Sequence, residues 1–487
     1  MCNFAAGIQI MHNSMEDVFV KYESASDRIN ALRKKSISVP SWSTLLKDYD
    51  PKQHEIVNDV TRIRNRKLKN GAEEEAARIY IGLEKLLVSR YTDFTFSIPV
   101  RRVYHGIEDN ARRREVQEII EKIYKYARID TENIKRGRAY YASCEFCTVW
   151  YTVKTTQPNT LYGFKSNYKL KCKTYSPMEG VLLYPLFDEY GDMVAMSFEY
   201  KQKEGAEEFM YFETYTATRH VKWKSKGGVW EEQLYDKDVA LLYSQLGKIP
   251  AVYAFRPTPV YDGLTVLRSE LEYSVSRNAN TIAYNSAPIL KVSGAVEGQE
   301  QKDETYRMLR TENGGDVSYV SWNQSVESLK YQDQNLLKLF FMQAQMPDIS
   351  ADRMMALGNI GFDARQTILT DAHLKIGEES GALIETLERE LNVIKAFIKL
   401  MRSDLAAEVD NVEVEHIITP FIQNDEKSEI QKWSAACGGK AVMSQQSAIK
   451  NLGYTPDAAE EMKLIQQEEA QSAASKMQSV FGGGSAE

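Results

Sequence analysis

The sequence predicts an α+β protein, with helical segments at both ends of the chain and an antiparallel, strand-rich block between them. Three observations carry this. Apolar residues recur at spacings of three and four up to about Asp130, the period changes to two between about Tyr140 and Ala254, and helical spacing returns after Pro250, Pro257 and Pro259. The returning helical text includes a run of about 40 residues from Asp363 to Arg402, on the order of 60 Å long as a single helix.

In the first block, Ala76, Ile79, Tyr80, Leu83, Leu86 and Leu87 form one apolar stripe, which predicts a helix from Glu73 to Tyr91; Pro99 breaks the pattern. The basic clusters Arg62, Arg64, Arg66, Lys67, Lys69 and Arg112, Arg113, Arg114 lie beside Glu73, Glu74, Glu75 and Glu108, Asp109, Glu115. Such mixed charge reads as a solvated or subunit-facing surface rather than a phosphate-binding patch. In the middle block, Cys147–Val153, Gly180–Tyr184, Val194–Tyr200, Phe209–Thr216 and Thr218–Trp223 read as strands, separated by turn signals at Glu189, Tyr190, Gly191 and at Gly227, Gly228. Their many tyrosines spread over both strand faces, which suits sheet packing and partner contact better than base stacking.

The third block opens with a helix whose dry stripe is Leu264, Leu267, Leu271, Val275, Ala279 and Ile282 and whose wet side is Glu270, Glu272, Arg277, Asn278 and Asn280; Pro288 ends it. A small β-α-β insertion follows: Ile289–Val292 as a strand, Lys302–Arg310 as a helix, a turn at Asn313, Gly314 and Gly315, then Val317–Trp322 as a strand. A second helix spans about Val326 to Gln345, with Leu329, Leu336, Leu337, Phe340 and Phe341 on its apolar side and Pro347 as its stop. The stretch Asp348–Gly361 reads as a loop, with Gly358 and Gly361 bounding its last residues. In the second half of the long helix Leu383, Leu387, Leu391, Ile394, Ile398 and Met401 keep one stripe, while Gly377 and Gly381 weaken its middle and predict a kink. A strand at Val412–Pro420 and short helices divided by Gly438, Gly439, Gly453 and Pro456 complete the pattern, and Ser472–Glu487 reads as a disordered tail.

Composition and motifs exclude several function classes. Lys plus Arg is 61 and Asp plus Glu is 68, a net charge of −7, so a protein that wraps nucleic acid through bulk positive charge is not expected. No run reaches the length of a membrane span and residues 1–20 lack a signal-peptide pattern, so the chain reads as soluble and unexported. Five scattered cysteines suit a reducing compartment, and Cys144 and Cys147, flanked by Tyr140, Tyr141, Phe146 and Trp150, read as packing rather than half a zinc site. Neither Gly247-Lys248 nor Gly439-Lys440 completes a phosphate loop, no H-E-x-x-H or G-x-S-x-G motif occurs, and His12, His54, His105, His220, His373 and His416 are dispersed. Asp48 and Asp50 are separated by one residue, and no third acidic ligand stands near them in sequence. No cofactor, no metal and no catalytic residue is predicted.

The order of these elements is more informative than any one motif. Ile249-Pro250-Ala251-Val252, Asp262-Gly263-Leu264 and Ser276-Arg277-Asn278-Ala279-Asn280 through Pro288-Ile289-Leu290, followed by Met346-Pro347-Asp348-Ile349-Ser350 and Gly358-Asn359-Ile360-Gly361, are collinear over nearly half the chain with Phe421–Ile430, Met443–Gly453 and Pro456–Glu469. This text resembles the portal proteins, or head-tail connectors, of tailed double-stranded DNA phages, in particular those with long, non-contractile tails; Glu84–Val100 resembles their wing more loosely. The loop departs from the family text, since Ile360 stands where a serine is usual and the stretch is about one residue short.

The resemblance implies a cyclic ring, of twelve subunits by the family's habit, with residues 1–261 as wing, 262–285 as first stem helix, 286–325 as clip, 326–347 as second stem helix, 348–362 as tunnel loop, 363–405 as long wing helix, 406–423 as wing return strand and 424–487 as crown. It implies a virion component at one capsid vertex, assembled in the host cytoplasm, through which double-stranded DNA is packaged and ejected. Its partners would be the terminase large subunit, a head-tail adaptor and the major capsid and scaffolding proteins. Ser350, Asp352, Arg353 and Asn359 would face DNA in the tunnel loop. Leu264, Leu267, Leu271, Val275, Leu336 and Phe340 would bury the stem against the neighbouring subunit, and Lys302, Tyr306, Arg310, Tyr319 and Trp322 would meet partners at the clip. The motor would supply ATP hydrolysis, so the chain itself would be no enzyme. The alternatives are another virion structural protein, such as an adaptor or minor capsid protein, and a nucleic-acid-processing enzyme.

Overall fold

A computed structural model describes residues 18–19, 21–67, 71–107, 110–234, 237–285, 289–293, 296–303, 306–311, 316–320, 326–348, 362–421, 426–438, 441–453, 455 and 458–481. The chain divides into two compact units, Met1–Ser350 with Thr370–Phe421, and Ala351–Leu369 with Ile422–Glu487.

The first unit begins with short helices α1 (Ala25–Leu32), α2 (Trp42–Tyr49) and α3 (Glu55–Asn58) and a small hairpin of β1 (Arg66–Lys67) with β2 (Glu73–Glu74). Then come α4 (Leu83–Phe96), β3 (Arg101–His105), α5 (Ala111–Ala127) and α6 (Ile129–Ser143). Local chemistry sets these ends. Ser24 caps α1 by accepting the Asp27 amide at 3.1 Å, and Asn110 caps α5 by accepting the Arg112 amide at 3.0 Å. Arg128, at φ 55°, turns the chain from α5 into α6.

Strands β4 (Glu145–Asn159), β5 (Ser166–Tyr175), β6 (Leu182–Phe187), β7 (Met193–Glu204), β8 (Glu207–Tyr215), β9 (His220–Lys226) and β10 (Val229–Gln233) follow, then α7 (Lys237–Leu246) and β11 (Ala251–Phe255). They form a five-stranded antiparallel sheet in the order β10-β9-β8-β7-β6 and a three-stranded one in the order β11-β4-β5. Glycines at 191, 227 and 228 adopt positive φ at the two predicted turns, where a Cβ would be strained.

Helix α8 (Thr265–Asn285) leads into β12 (Ile289–Ser293), β13 (Val296–Asp303), β14 (Tyr306–Thr311) and β15 (Asp316–Val320), and α9 (Val326–Gln343) returns alongside α8. The very long α10 (Phe362–Met401), which belongs to the first unit from Thr370 onward, α11 (Ala406–Asn411) and β16 (Glu413–Ile417) close the first unit, with β16 pairing β3. One hydrophobic cluster gathers Val116, Ile119, Ile120 and Ile123 of α5, Trp150 and Leu170 of the three-stranded sheet, and Leu391, Ile394, Phe397 and Ile398 of α10. Leu391, Ile394 and Ile398 come from the predicted stripe of the long helix and Phe397 joins them, so that stripe is the element's core face. The second unit contains α12 (Glu426–Cys437), α13 (Gln445–Leu452) and α14 (Ala458–Phe481), with Ser444 capping α13 and Gly453, at φ 70°, ending it.

Four expectations are corrected. The helix predicted from Glu73 begins at Leu83: Glu73 and Glu74 pair with β1, and Ile79 and Tyr80, two members of the apparent stripe, are exposed. The insertion is not β-α-β. Val296–Asp303 and Tyr306–Thr311 form an antiparallel hairpin where a helix over Lys302–Arg310 was expected, and the outer strands β12 and β15 pair with each other. Nine residues are too few for periodicity to separate helix from strand, and the hairpin gives the backbone of 296–303 a partner that a helix could not. The tail predicted to be disordered from Ser472 is helical to Phe481. Glu272, assigned to the wet side of α8, is completely buried.

Candidate functional site

Two helices and the elements packed on them form the centre of interest, because α8 and α9 flank the insertion and are followed by the longest helix of the chain. Each presents unpartnered apolar surface: Val266 (69% exposed) and Ile282 (57%) on α8, Tyr331 (72%) and Met342 (60%) on α9. Between them Ser274 Oγ donates to Asp333 Oδ1 at 2.6 Å, and a polar groove of about 150 Å³ is lined by Glu270, Arg277, Asn278, Thr281, Leu329 and Gln332. Of the predicted interface residues, Leu264, Leu271 and Phe340 are buried within the chain itself, whereas Leu267, Val275 and Leu336 keep partial exposure.

The other face of α8 is buried and charged. Arg268 lies between three carboxylates: its Nε donates to Glu84 at 2.8 Å, its Nη1 to Glu272 at 3.0 Å and its Nη2 to Asp48 at 3.2 Å. His54 closes the cluster, with Nδ1 2.7 Å from Glu272 Oε1 and Nε2 2.8 Å from the carbonyl oxygen of Asp48. Burial pushes the Glu84 carboxyl above its ordinary value, against the Arg268 charge that pulls it down. For Arg268 burial works the other way, yet the carboxylates of Glu84 and Glu272 outweigh it and raise its pKa. Side chains exposed by 4% or less at Arg268, Glu84, Glu272 and His54 make this a sealed ion-pair cluster that holds elements together, not a cleft that admits a substrate. Asp48 is taken up by Arg268 and Asp50 by Lys85 at 3.3 Å, so the two carboxylates serve different cations.

Directly above the cluster, the extended segment 75–82 lies along α8. The amides of Ala77, Ile79 and Ile81 donate to Asn280 Oδ1 (2.8 Å), Ser276 Oγ (2.8 Å) and Glu272 Oε1 (2.7 Å). Asn280 Nδ2 donates back to the Ala77 carbonyl at 2.9 Å. These bonds explain why helical text is drawn out straight here: the side chains of α8 satisfy the amides that a first helical turn would leave open.

A second buried pair lies in the core of the same unit. Arg136 forks onto Glu390 of α10, whose Oε1 also accepts Trp150 Nε1 at 2.7 Å. Nothing local in the sequence signals this contact, since the partners stand 254 residues apart. Cys144 and Cys147 are buried free thiols; burial pushes Cys144 up to about 12 and Cys147 well above its ordinary value. In the basic clusters Arg62 pairs with Glu270 at 2.8 Å, Arg66 with Glu74 at 3.8 Å and Arg112 with Glu408 at 3.2 Å, while Arg113 and Arg114 donate to the carbonyls of Gly106 and Ile107. Among the described residues no group of His, Cys, Asp or Glu is arranged to hold a metal ion, and no helix is long and apolar enough to cross a membrane. A groove of about 710 Å³ elsewhere in the unit is lined by Phe187, Met193, Ile249, Val252 and Val393, with Arg219, Lys248 and Arg389 beside Asp192.

Lys302 falls on β13, Tyr306 and Arg310 on β14 and Tyr319 on β15. Trp322 and all four tunnel-loop residues, Ser350, Asp352, Arg353 and Asn359, lie outside the described residues.

The family model of phage portal proteins of the SPP1 Gp6-like type matches residues 38–475. The chain belongs to that portal family. Its mixture of helices and antiparallel sheets is a portal fold, and a portal-family chain is a structural component of a phage particle. No curated protein matches the chain. Among solved structures, a chain from the neck of an empty GTA particle, computed with C6 symmetry, shares 11% identity at a TM-score of 0.36, covering 86% of this chain and 100% of that one.

Proposed function

We propose that this chain is the subunit of a portal ring, of twelve copies, at one vertex of a phage capsid, and that double-stranded DNA passes through the ring during packaging and ejection. The family match over 38–475 carries this reading. In it, 1–261 is the wing, α8 and α9 are the stem, 286–325 is the clip that docks the terminase large subunit and later the head-tail adaptor, and 424–487 is the crown. The major capsid and scaffolding proteins meet the ring in the host cytoplasm. Ser350, Asp352, Arg353 and Asn359 line the tunnel, and Lys302, Tyr306, Arg310, Tyr319 and Trp322 serve the clip.

The exposed apolar residues of the stem support this arrangement. Val266, Ile282, Tyr331 and Met342 leave apolar side chains exposed on both helices, and a heterologous contact repeated around a closed axis would bury them without leaving an open end. The buried members of the predicted set, Leu264, Leu271 and Phe340, instead stiffen the subunit, and Leu267, Val275 and Leu336 share the interface. Net charge of −7 suits a conduit, because a strongly basic wall would hold DNA through released counterions. Sedimentation velocity tests the reading: the wild type is expected to run as one large closed species and the double variant Val266→Glu/Tyr331→Glu as a folded monomer. A wild type that stays monomeric at micromolar concentration contradicts it.

A further inference from the structure

The hydrogen bonds between 75–82 and α8 have a regularity that ordinary loop packing lacks. Donors recur every second residue on the extended segment (77, 79, 81) and acceptors every fourth on the helix (280, 276, 272), in opposite chain directions. Two extended residues advance about 6.6 Å and four helical residues about 6 Å, so the two repeats match closely enough for about three rungs before the mismatch and the turn of the helix end the ladder. The next position on the same face, Arg268, has no acceptor to offer; there the ladder gives way to the cluster with buried Glu84, Glu272 and His54 and the partly exposed Asp48. Among the described residues no rung follows Asn280, and Ile282 is exposed.

From this geometry we infer that 75–82 is a strap that bolts the first part of α8, residues 268–280, to the body of the unit, so that motion of the stem pivots beyond Asn280 rather than at the start of the helix. The names wing and stem rest on the portal reading; the strap itself lies within one chain. Bending at the helix start would break three rungs and unpair two buried carboxylates together, whereas bending beyond Asn280 breaks neither. The strap sets the axial position of α8 as well: a shift of one turn toward the helix start would put the Ile81 amide against Arg268, a donor against donors.

Hydrogen exchange read by mass spectrometry on the full-length assembly tests this. The wild type is expected to protect the amides of 77–81 as strongly as those of 268–280, with 281–285 exchanging at least about tenfold faster. Ser276→Ala, and separately Asn280→Ala, should raise exchange across 77–81 as a block by about tenfold while leaving the helices of the second unit unchanged. Exchange of 77–81 at the unprotected rate in the wild type, an unaltered pattern in both variants, or equal protection across 268–285 would overturn the inference. Native mass on the same sample reports ring formation separately, so a failed strap and a failed portal reading give different results.

Discussion

His416 on β16 is 3% exposed, and neither ring nitrogen has a protein partner. Burial first, and the Arg102 charge second, bring its pKa down to about 4. The unfolded chain takes up this proton near 6.5, so the native state is neutral at pH 7 and binds fewer protons than the unfolded state at any pH between the two values. Stability from this group is therefore complete above about pH 6.5 and is lost as pH falls toward 4, by about 3 kcal/mol in all. Urea unfolding of the wild type beside His416→Phe, at pH 7.5 and pH 4.5, should show the wild type losing more; parallel losses would refute the assignment. At Glu390 the effect is larger, and the two sites are coupled, because the Glu390 charge works against burial and raises the His416 pKa. Glu390→Gln leaves the buried Arg136 guanidinium without its counter-charge and is expected to cost about 3–5 kcal/mol, while the double replacement Arg136→Met/Glu390→Met should cost clearly less than the two single changes combined. At this scale the packing of Cys144 and Cys147 was legible from their aromatic neighbours, because local flanks decide burial. The Arg268 and Arg136 clusters were not: Arg268 and Glu272 stand four apart on one helix, but Glu84, Asp48 and His54 reach them from far along the chain, as Glu390 reaches Arg136; Glu272 was misread because helical spacing alone cannot tell a buried polar face from a wet one.

Elements with many turns read well. The long helix predicted from Asp363 to Arg402 runs from Phe362 to Met401 without interruption through Gly377 and Gly381, and both glycines are exposed with open space around the position a Cβ would take. Gly377→Ala and Gly381→Ala should each stabilise the protein by about 1 kcal/mol, read as a rise in the guanidinium midpoint; a fall would mean that the helix needs its glycines for bending. The paired helices, the turn at Gly191 and the strand now at Glu413–Ile417 were legible for the same reason: a strong period or a strong turn signal. Short elements were not. The hairpin of β13 with β14 and the late start of α4 depend on partners far along the chain, and neither long-range pairing nor the capture of the 77, 79 and 81 amides leaves a local mark. Strand β5 did leave one, with Lys169, Lys171 and Lys173 alternating with Leu170 and Cys172, and a period-two scan of that stretch detects it.

For the whole molecule, collinearity carried more than any motif. The order of strand-rich block, helix, insertion, returning helix and long helix was legible in the sequence, and the family match spans nearly all of it. Inter-subunit contact is less legible, because the apolar stripe of an amphipathic helix does not say which residues face its own chain and which face a neighbour: Leu264 and Leu271 went inward while Val266 and Ile282 stayed out. The central claim is a closed ring around a channel. Native mass spectrometry with electron-microscope class averages of the same purified sample tests it most directly. Cyclic symmetry at roughly twelve times the chain mass, about 670 kDa, with a central hole wider than the roughly 20 Å duplex, is the predicted result; a stable monomer or dimer with no channel in any class would contradict it.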